Sequence, residues 1–164
     1  IIKTYYHKYK VVYGFQSYDE LITRTSSQFK TQNEKYIGLS IMRRDEDGTV
    51  DHTPLPPGST FIGNKNFGSW KKNQETLYWK FYRVYRHIPI FLGWGEFKPT
   101  YTFYQEIQNR IKDGKPFYGF NDEFGTNGSI TKVAFPNYFS KSDENINYRE
   151  FFNDYLKKNF KVNK

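Results

Sequence analysis

Residues 99–114 read PTYTFYQEIQNRIKDG, and their apolar side chains recur at the spacing of one helical face. Pro99 suits the first turn of a helix, because its ring presets φ and the N–H that it lacks would have no partner there. Gly114 suits the left-handed position that ends many helices. The pattern predicts a helix over 99–113, with a stripe of Phe103, Tyr104, Ile107 and Ile111.

Similar stripes predict helices on both sides of this segment. Residues 76–88 carry one of them, and Pro89 should end or kink that helix. A capping box at Ser17–Glu20 and a weaker stripe predict a helix over 18–29. Near the C-terminus, Asn147 is the expected N-cap of a last helix, whose apolar face consists of Phe151, Phe152, Tyr155, Leu156 and Phe160.

Period-two patterns predict the strands. Apolar residues alternate with lysines over 5–15, and a second strand over 36–43 is followed by Asp47-Gly48, a hairpin signal, and a return strand near 49–53. A proline-rich connector occupies 54–58. Two shorter strands are predicted at 60–62 and 130–135. Together these elements predict one α+β domain over 1–164, in which a small N-terminal antiparallel sheet packs on three to four helices.

The composition excludes several classes of protein. The chain has 164 residues and no cysteine, so disulfide scaffolds, thiolate metal sites and cysteine nucleophiles are excluded. No apolar run within it approaches the roughly 18 residues of a membrane span. Aromatic residues make up 21% of the chain, and intrinsically disordered chains contain few of them. We therefore expect a folded chain with an aromatic-rich core.

Patterns for catalysis and metal binding are weak. His52 next to Asp51 resembles an oriented imidazole, but a hydrogen-bonded hairpin residue is the favoured interpretation. Asp122 and Glu123 would serve a glycosidase only if they faced one sugar, and a solvated turn is favoured. The acidic run over 45–51 lacks the spacing of a calcium loop. We therefore assign no catalytic residue, metal ligand or cofactor, and an enzyme of unrecognised type stays an alternative.

The positive charge is the strongest functional indication. The formal net charge is +8, and basic residues surround Trp70 and Trp79, namely Lys65, Lys71, Lys72, Lys80, Arg83 and Arg86. Basic residues between rings are typical of surfaces that bind single-stranded nucleic acid. However, basic residues occur along the whole chain, and no RNA-recognition motif is present. A basic surface that faces anionic lipid or a cell-wall polymer is the other interpretation.

Several short segments over 60–140 resemble a known group of sequences. They are GNKNFGSW at 63–70, YWKFY at 78–82, GKPFYG at 114–119, FGTNGS at 124–129 and PNYF at 136–139. This pattern resembles a group of uncharacterised bacterial proteins with an N-terminal hydrophobic anchor. The resemblance implies an envelope location and supplies no catalytic residues.

These observations lead to a functional expectation. We expect a non-enzymatic, envelope-associated binding or scaffolding domain, the soluble part of a longer chain that is anchored in the membrane upstream of Ile1. Its partner would be a protein or a cell-envelope polymer, and its location the periplasm or the membrane surface. A basic, aromatic nucleic-acid-binding module is the alternative, for which the cytoplasm is the alternative location.

The expected interaction surface combines residues of three segments of the resemblance with the two lysines that follow the first of them. Its residues are Asn64, Lys65, Asn66, Phe67, Trp70, Lys71, Lys72, Tyr118 and Asn127. Trp70, Trp79 and Tyr118 are expected to be mainly structural, because they lie near glycines or on an apolar helix face. A ring-lined groove for a glycan or a peptide is the alternative. Asn127 also begins the glycosylation sequon Asn-Gly-Ser.

Overall fold

The computed structural model describes residues 3–13, 17–45 and 47–140. The chain divides into two compact units, Ile1–Ala134 and Phe135–Lys164. The predicted last helix, with its cap Asn147, lies outside the described residues. The expectation of a single domain stays a prediction.

The described residues form a mixed α+β structure with three small antiparallel sheets of two strands each. The strand pairs are β1 (Tyr5–Tyr13) with β2 (Ser17–Thr25), β3 (Arg43–Arg44) with β4 (Val50–Asp51), and β5 (Gly68–Asn73) with β6 (Thr76–Phe81). The helices of this part are α1 (Ser27–Asn33), α2 (Ile88–Phe91), α3 (Tyr101–Asp113), α4 (Ser129–Ala134) and, in the second unit, α5 (Pro136–Ser140). Short 3-10 turns lie at Glu34–Tyr36, Ser59–Phe61 and Arg83–Tyr85.

Helix α3 confirms the prediction for 99–113, except at its first turn. The helix begins at Tyr101, and Thr100 is its N-cap, because the Thr100 hydroxyl accepts a hydrogen bond from the Phe103 N–H at 3.2 Å. Gly114 ends it with φ at 62°. Phe103 and Ile107 are buried, whereas Ile111, the last residue of the predicted stripe, is exposed.

The helix predicted over 76–88 is wrong. Residues 76–81 form β6, and Pro89 lies in the first turn of α2. Leu77, Trp79 and Phe81 fit a strand as well as a helix, since they also alternate. The aromatic and β-branched residues favour the strand, and pairing with β5 allows Trp79 to pack on Trp70.

The helix predicted over 18–29 is wrong for most of its length, because residues 17–25 form β2. The Ser17–Glu20 capping box does not form. The Ser17 hydroxyl donates to the Tyr13 carbonyl, and Glu20 pairs with Lys8 at 2.7 Å. The helix starts only after Ser26, whose hydroxyl accepts from the Phe29 N–H at 3.0 Å.

The shorter predictions have mixed outcomes. The alternation over 5–15 is confirmed for Tyr5–Val11, where the predicted apolar side is half-buried and the lysines are exposed, whereas Tyr13 on the same side is exposed. The hairpin over 36–53 shrinks to β3, β4 and a single Ser40–Leu55 bridge. The strands predicted at 60–62 and 130–135 are wrong, because a 3-10 turn and helix α4 occupy those positions.

The core of the first unit is rich in aromatic residues, as the composition predicts. Its buried cluster consists of Leu55, Ile62, Trp79, Trp94, Phe103, Ile107, Phe117 and Phe124. Ring contacts run through it from Trp79 to Phe81, Trp94, Phe97 and Phe103, each with centroids 5.0–6.2 Å apart. The β5–β6 hairpin and α3 therefore share one core.

Candidate binding surface

Contacts between aromatic side chains fix the inner face of the β5–β6 hairpin against α3. Trp70 and Trp79 stand opposite each other, with centroids 5.1 Å apart at 68°. Trp70 also contacts Tyr101 and Tyr104 of α3, at 5.1 and 5.7 Å. Trp79 is 3% exposed, so its ring is not available to a ligand. These contacts agree with the structural role expected for both tryptophans.

Two backbone features fix the hairpin further. The Trp79 N–H donates to the Pro99 carbonyl at 2.8 Å, and Tyr78 forms an isolated bridge with Thr100, so β6 is tied to the start of α3. Gly68 lies under the Trp79 ring, where an added Cβ would come 2.8 Å from ring carbon Cζ2 and would also clash with the Lys80 carbonyl oxygen. The glycine therefore permits the close approach of the Trp79 ring and the Lys80 carbonyl to the backbone of β5.

The outer face of the hairpin is cationic. Lys71 faces Tyr78 and Ser69 faces Lys80 in the ladder, so Lys71 and Lys80 are diagonal neighbours on this face. Both lysines are exposed, and Tyr78 between them is half-buried. Among the described residues, no carboxylate forms an ion pair with either lysine. We call Lys71, Tyr78 and Lys80 the cationic face.

The helix predicted from the sequence would have given Lys80 different neighbours. On a helix over 76–88, Lys80 would be three residues from Arg83 and would share a side with it. On strand β6, the two-residue period places Lys80 beside Lys71 instead. The signal for this arrangement was the alternation of Leu77, Trp79 and Phe81, which leaves the intervening residues on the opposite face.

The remaining predicted surface residues in β5 and in the turn before it either stabilise the fold or are exposed. The Asn64 side-chain oxygen accepts from the Asn66 N–H at 3.0 Å and shapes the turn that leads into β5. The Phe67 ring lies against Phe61 and Tyr85, at 5.0 and 5.3 Å. Lys65 is exposed in the turn, and Lys72 is exposed near the tip of the hairpin.

Tyr118 and Asn127 belong to the loop that follows α3. The Tyr118 ring stacks on Tyr36, with centroids 6.4 Å apart, and lies over Gly125, whose φ is 84°. Burial, with smaller effects of Tyr36 and Asp122, raises the pKa of Tyr118 above 10.0. Asn127 is exposed. Tyr118 therefore ties this loop to the 34–37 segment, and no ring contact in the described part joins it to Trp70.

The weak catalytic candidates have structural partners. The Asp51 carboxylate bonds to Arg43 and Thr53, while His52 is exposed. The Glu123 carboxylate accepts from the backbone and side-chain nitrogens of Asn121, at 3.0 and 3.1 Å. The hairpin and turn interpretations therefore account for both carboxylates.

Two shallow depressions lie along the exposed side of α3. The larger one has about 540 Å³ and is lined by Thr102, Gln105, Glu106, Gln108, Asn109, Lys112 and Phe120. The second has about 400 Å³ and is lined by Glu106, Asn109, Arg110, Lys112, Asp113 and Lys115. Neither depression has Trp70, Trp79 or Tyr118 in its lining.

Two other kinds of site are absent from residues 3–13, 17–45 and 47–140. That part of the chain brings no three histidine or acidic side chains together in a possible metal site. None of its helices has the length and apolar character that crossing a membrane requires.

Comparison with known proteins adds no relative. No protein-family model matches this chain, and no curated protein or solved structure is significantly similar to it. The resemblance to the anchored bacterial group stays a prediction, and a functional proposal must start from the chain's own surface.

Proposed function

We propose that the protein is a non-enzymatic binding or scaffolding domain that holds an anionic, phosphodiester-linked polymer of the bacterial cell envelope. The observation that carries this proposal is the cationic face. Lys71 and Lys80 lie side by side, without a carboxylate partner in the described part of the chain, on a hairpin whose other face packs into the core.

The arrangement of the rings supports this polymer over nucleic acid. A surface for single-stranded nucleic acid offers aromatic faces on which bases stack. Here Trp79 is buried and Trp70 packs against three rings, so both tryptophans serve the core. The lysines would contact phosphates as point charges, and the only ring of the cationic face, Tyr78, is half-buried and therefore offers less surface for stacking with a base.

Three broader expectations belong to the same proposal. The chain would be the soluble part of an anchored protein, it would lie in the envelope, and its N-terminal sheet would pack on its helices. Detection of the native protein in the envelope fraction of its host would test the location.

Binding of two labelled polymers tests the function. We expect end-labelled poly(glycerol phosphate) to bind with an affinity that falls as salt is added. Because a lysine near an anionic surface contributes about 1 kcal/mol, the double variant Lys71→Gln/Lys80→Gln should bind roughly 30-fold more weakly at low salt. The control Lys112→Gln/Lys132→Gln removes the same charge from exposed positions on α3 and α4 and should bind as the wild type does.

Two results would contradict the proposal. One is equal loss of affinity in both double variants, which would indicate a diffuse effect of net charge. The other is tighter binding of a labelled single-stranded oligonucleotide than of poly(glycerol phosphate) at physiological salt, which would favour the nucleic-acid alternative.

A further inference from the structure

The outer edge of β2 is a regular strand edge on an exposed hairpin. Within the described residues, β2 pairs with β1 alone, and eight of its nine residues are exposed. Leu21 and Ile22 at its centre are 53% and 64% exposed. A two-stranded hairpin is marginally stable in water, whereas three or more strands make a stable sheet.

This edge lacks most of the features that normally prevent strand pairing. Natural edges are protected by charged side chains, lysine above all, and by proline, bulges or short length. The charged residues of β2 are Asp19, Glu20 and Arg24, which include both signs. Strand β2 runs for nine residues, contains neither lysine nor proline, and pairs with β1 in continuous register. Strand β1, by contrast, carries Lys8 and Lys10.

We propose that β2 pairs antiparallel with β2 of a second copy of this chain, around a twofold axis at Ile22, to form a continuous sheet of four strands. The axis would be perpendicular to the sheet, so the side chains of two paired residues would lie on the same face of the sheet. Ile22 then faces Ile22 of the second copy. Glu20 faces Arg24 of the second copy on one side of the axis, and Arg24 faces Glu20 on the other.

The charges select this register among its neighbours. An axis at Asp19 or Glu20 would place two identical carboxylates directly opposite each other, which is destabilising. An axis at Leu21 would place Glu20 opposite Ile22. The axis at Ile22 gives two ion pairs and an apolar centre, and Leu21 then faces Thr23 on the other side of the sheet.

The ion pair between Lys8 and Glu20 would be part of a longer row of charges in the dimer. Glu20 lies 2.7 Å from the Lys8 amine within its own hairpin. In the paired sheet, Glu20 would lie between Lys8 of its own chain and Arg24 of the second copy. Each carboxylate would thus have a cation on both sides, and charges would alternate across the sheet.

Charge reversal tests the proposal by sedimentation velocity on the full chain. We expect a dimer that dissociates on dilution. Glu20→Arg and Arg24→Glu should each be monomeric, because each places two like charges opposite each other. An equimolar mixture of the two variants should form a heterodimer, since their charges are complementary. Far-ultraviolet circular dichroism spectra like that of the wild type would show that both variants are folded.

A cysteine reporter tests the register, because the chain has no cysteine of its own. Ile22→Cys should form an intermolecular disulfide under mild oxidation, since its Cα atoms would face each other within disulfide range. Thr23→Cys is the control and should remain a monomer on denaturing gels, because its two copies would be offset along the strands.

The proposal is overturned by a wild-type chain that stays monomeric at all concentrations. It is equally overturned by a dimer that survives both charge reversals, or by cross-linking of Thr23→Cys as fast as Ile22→Cys. None of these results bears on the binding of an anionic polymer by the cationic face, which single chains can perform.

Discussion

Trp70 and Trp79 stand opposite each other in the β5–β6 ladder, and their rings meet edge to face with centroids 5.1 Å apart. The pair joins the hairpin to α3 on its inner face, and it leaves Lys71 and Lys80 on the outer face. The same contact therefore stabilises the fold and orients the proposed binding surface.

Replacement of Trp79 tests this structural role. Truncation of a buried tryptophan typically costs about 3–5 kcal/mol, so Trp79→Ala should lower the melting temperature by roughly 10 °C or more, or prevent soluble expression. Within the described part of the chain, its indole nitrogen is buried and has no hydrogen-bond partner, so we expect Trp79→Phe to cost much less. The role would be contradicted if three single variants all melted near the wild-type temperature, namely Trp70→Ala, Trp79→Ala and Tyr118→Ala.

Gly68 should not tolerate a side chain. A Cβ at this position would meet the Lys80 carbonyl and the Trp79 ring, and the carbonyl cannot move without disrupting the ladder. We expect Gly68→Ala to lower the melting temperature by several degrees, although alanine normally suits a strand at least as well as glycine. Ser69→Ala, at the adjacent half-buried position, is the matched control and should melt within about a degree or two of the wild type.

Asp51 should make the stability of the fold depend on pH. Partial burial alone would raise the pKa of Asp51, but hydrogen bonds from Arg43 and Thr53 and the Arg43 charge lower that pKa below 3.8. A carboxyl whose pKa is depressed by folding stabilises the protein above its unfolded pKa, and that contribution is lost as the pH falls through the folded pKa. Asp51→Asn should therefore melt below the wild type at neutral pH.

The pH series gives this prediction its control. The difference between Asp51→Asn and the wild type should narrow as the pH is lowered below 3.8, where the wild-type carboxyl also becomes neutral. Asp45→Asn removes an exposed carboxylate from the same hairpin and should follow the wild type throughout. A constant difference between Asp51→Asn and the wild type at every pH would contradict the electrostatic explanation.

Local sequence patterns predicted the secondary structure correctly where neighbouring residues supply the hydrogen-bond partners of the backbone. Helix α3 is an example, because Thr100 caps one end, Gly114 ends the other, and its apolar stripe has a single period. Strand β1 alternates clearly, and the abundance of rings already predicts an aromatic core. The exposure of Lys71 and Lys72 follows from their charge alone.

Tertiary contacts decided the secondary structure of the segments whose apolar pattern fits both a helix and a strand. Residues 76–81 became a strand because Trp79 packs on Trp70 and donates its N–H to Pro99, a partner twenty residues along the chain. Strand β2 formed because β1 offers a continuous ladder, which local capping at Ser17 cannot match. Pairing between distant residues is absent from any short window of sequence, and it placed Lys80 beside Lys71.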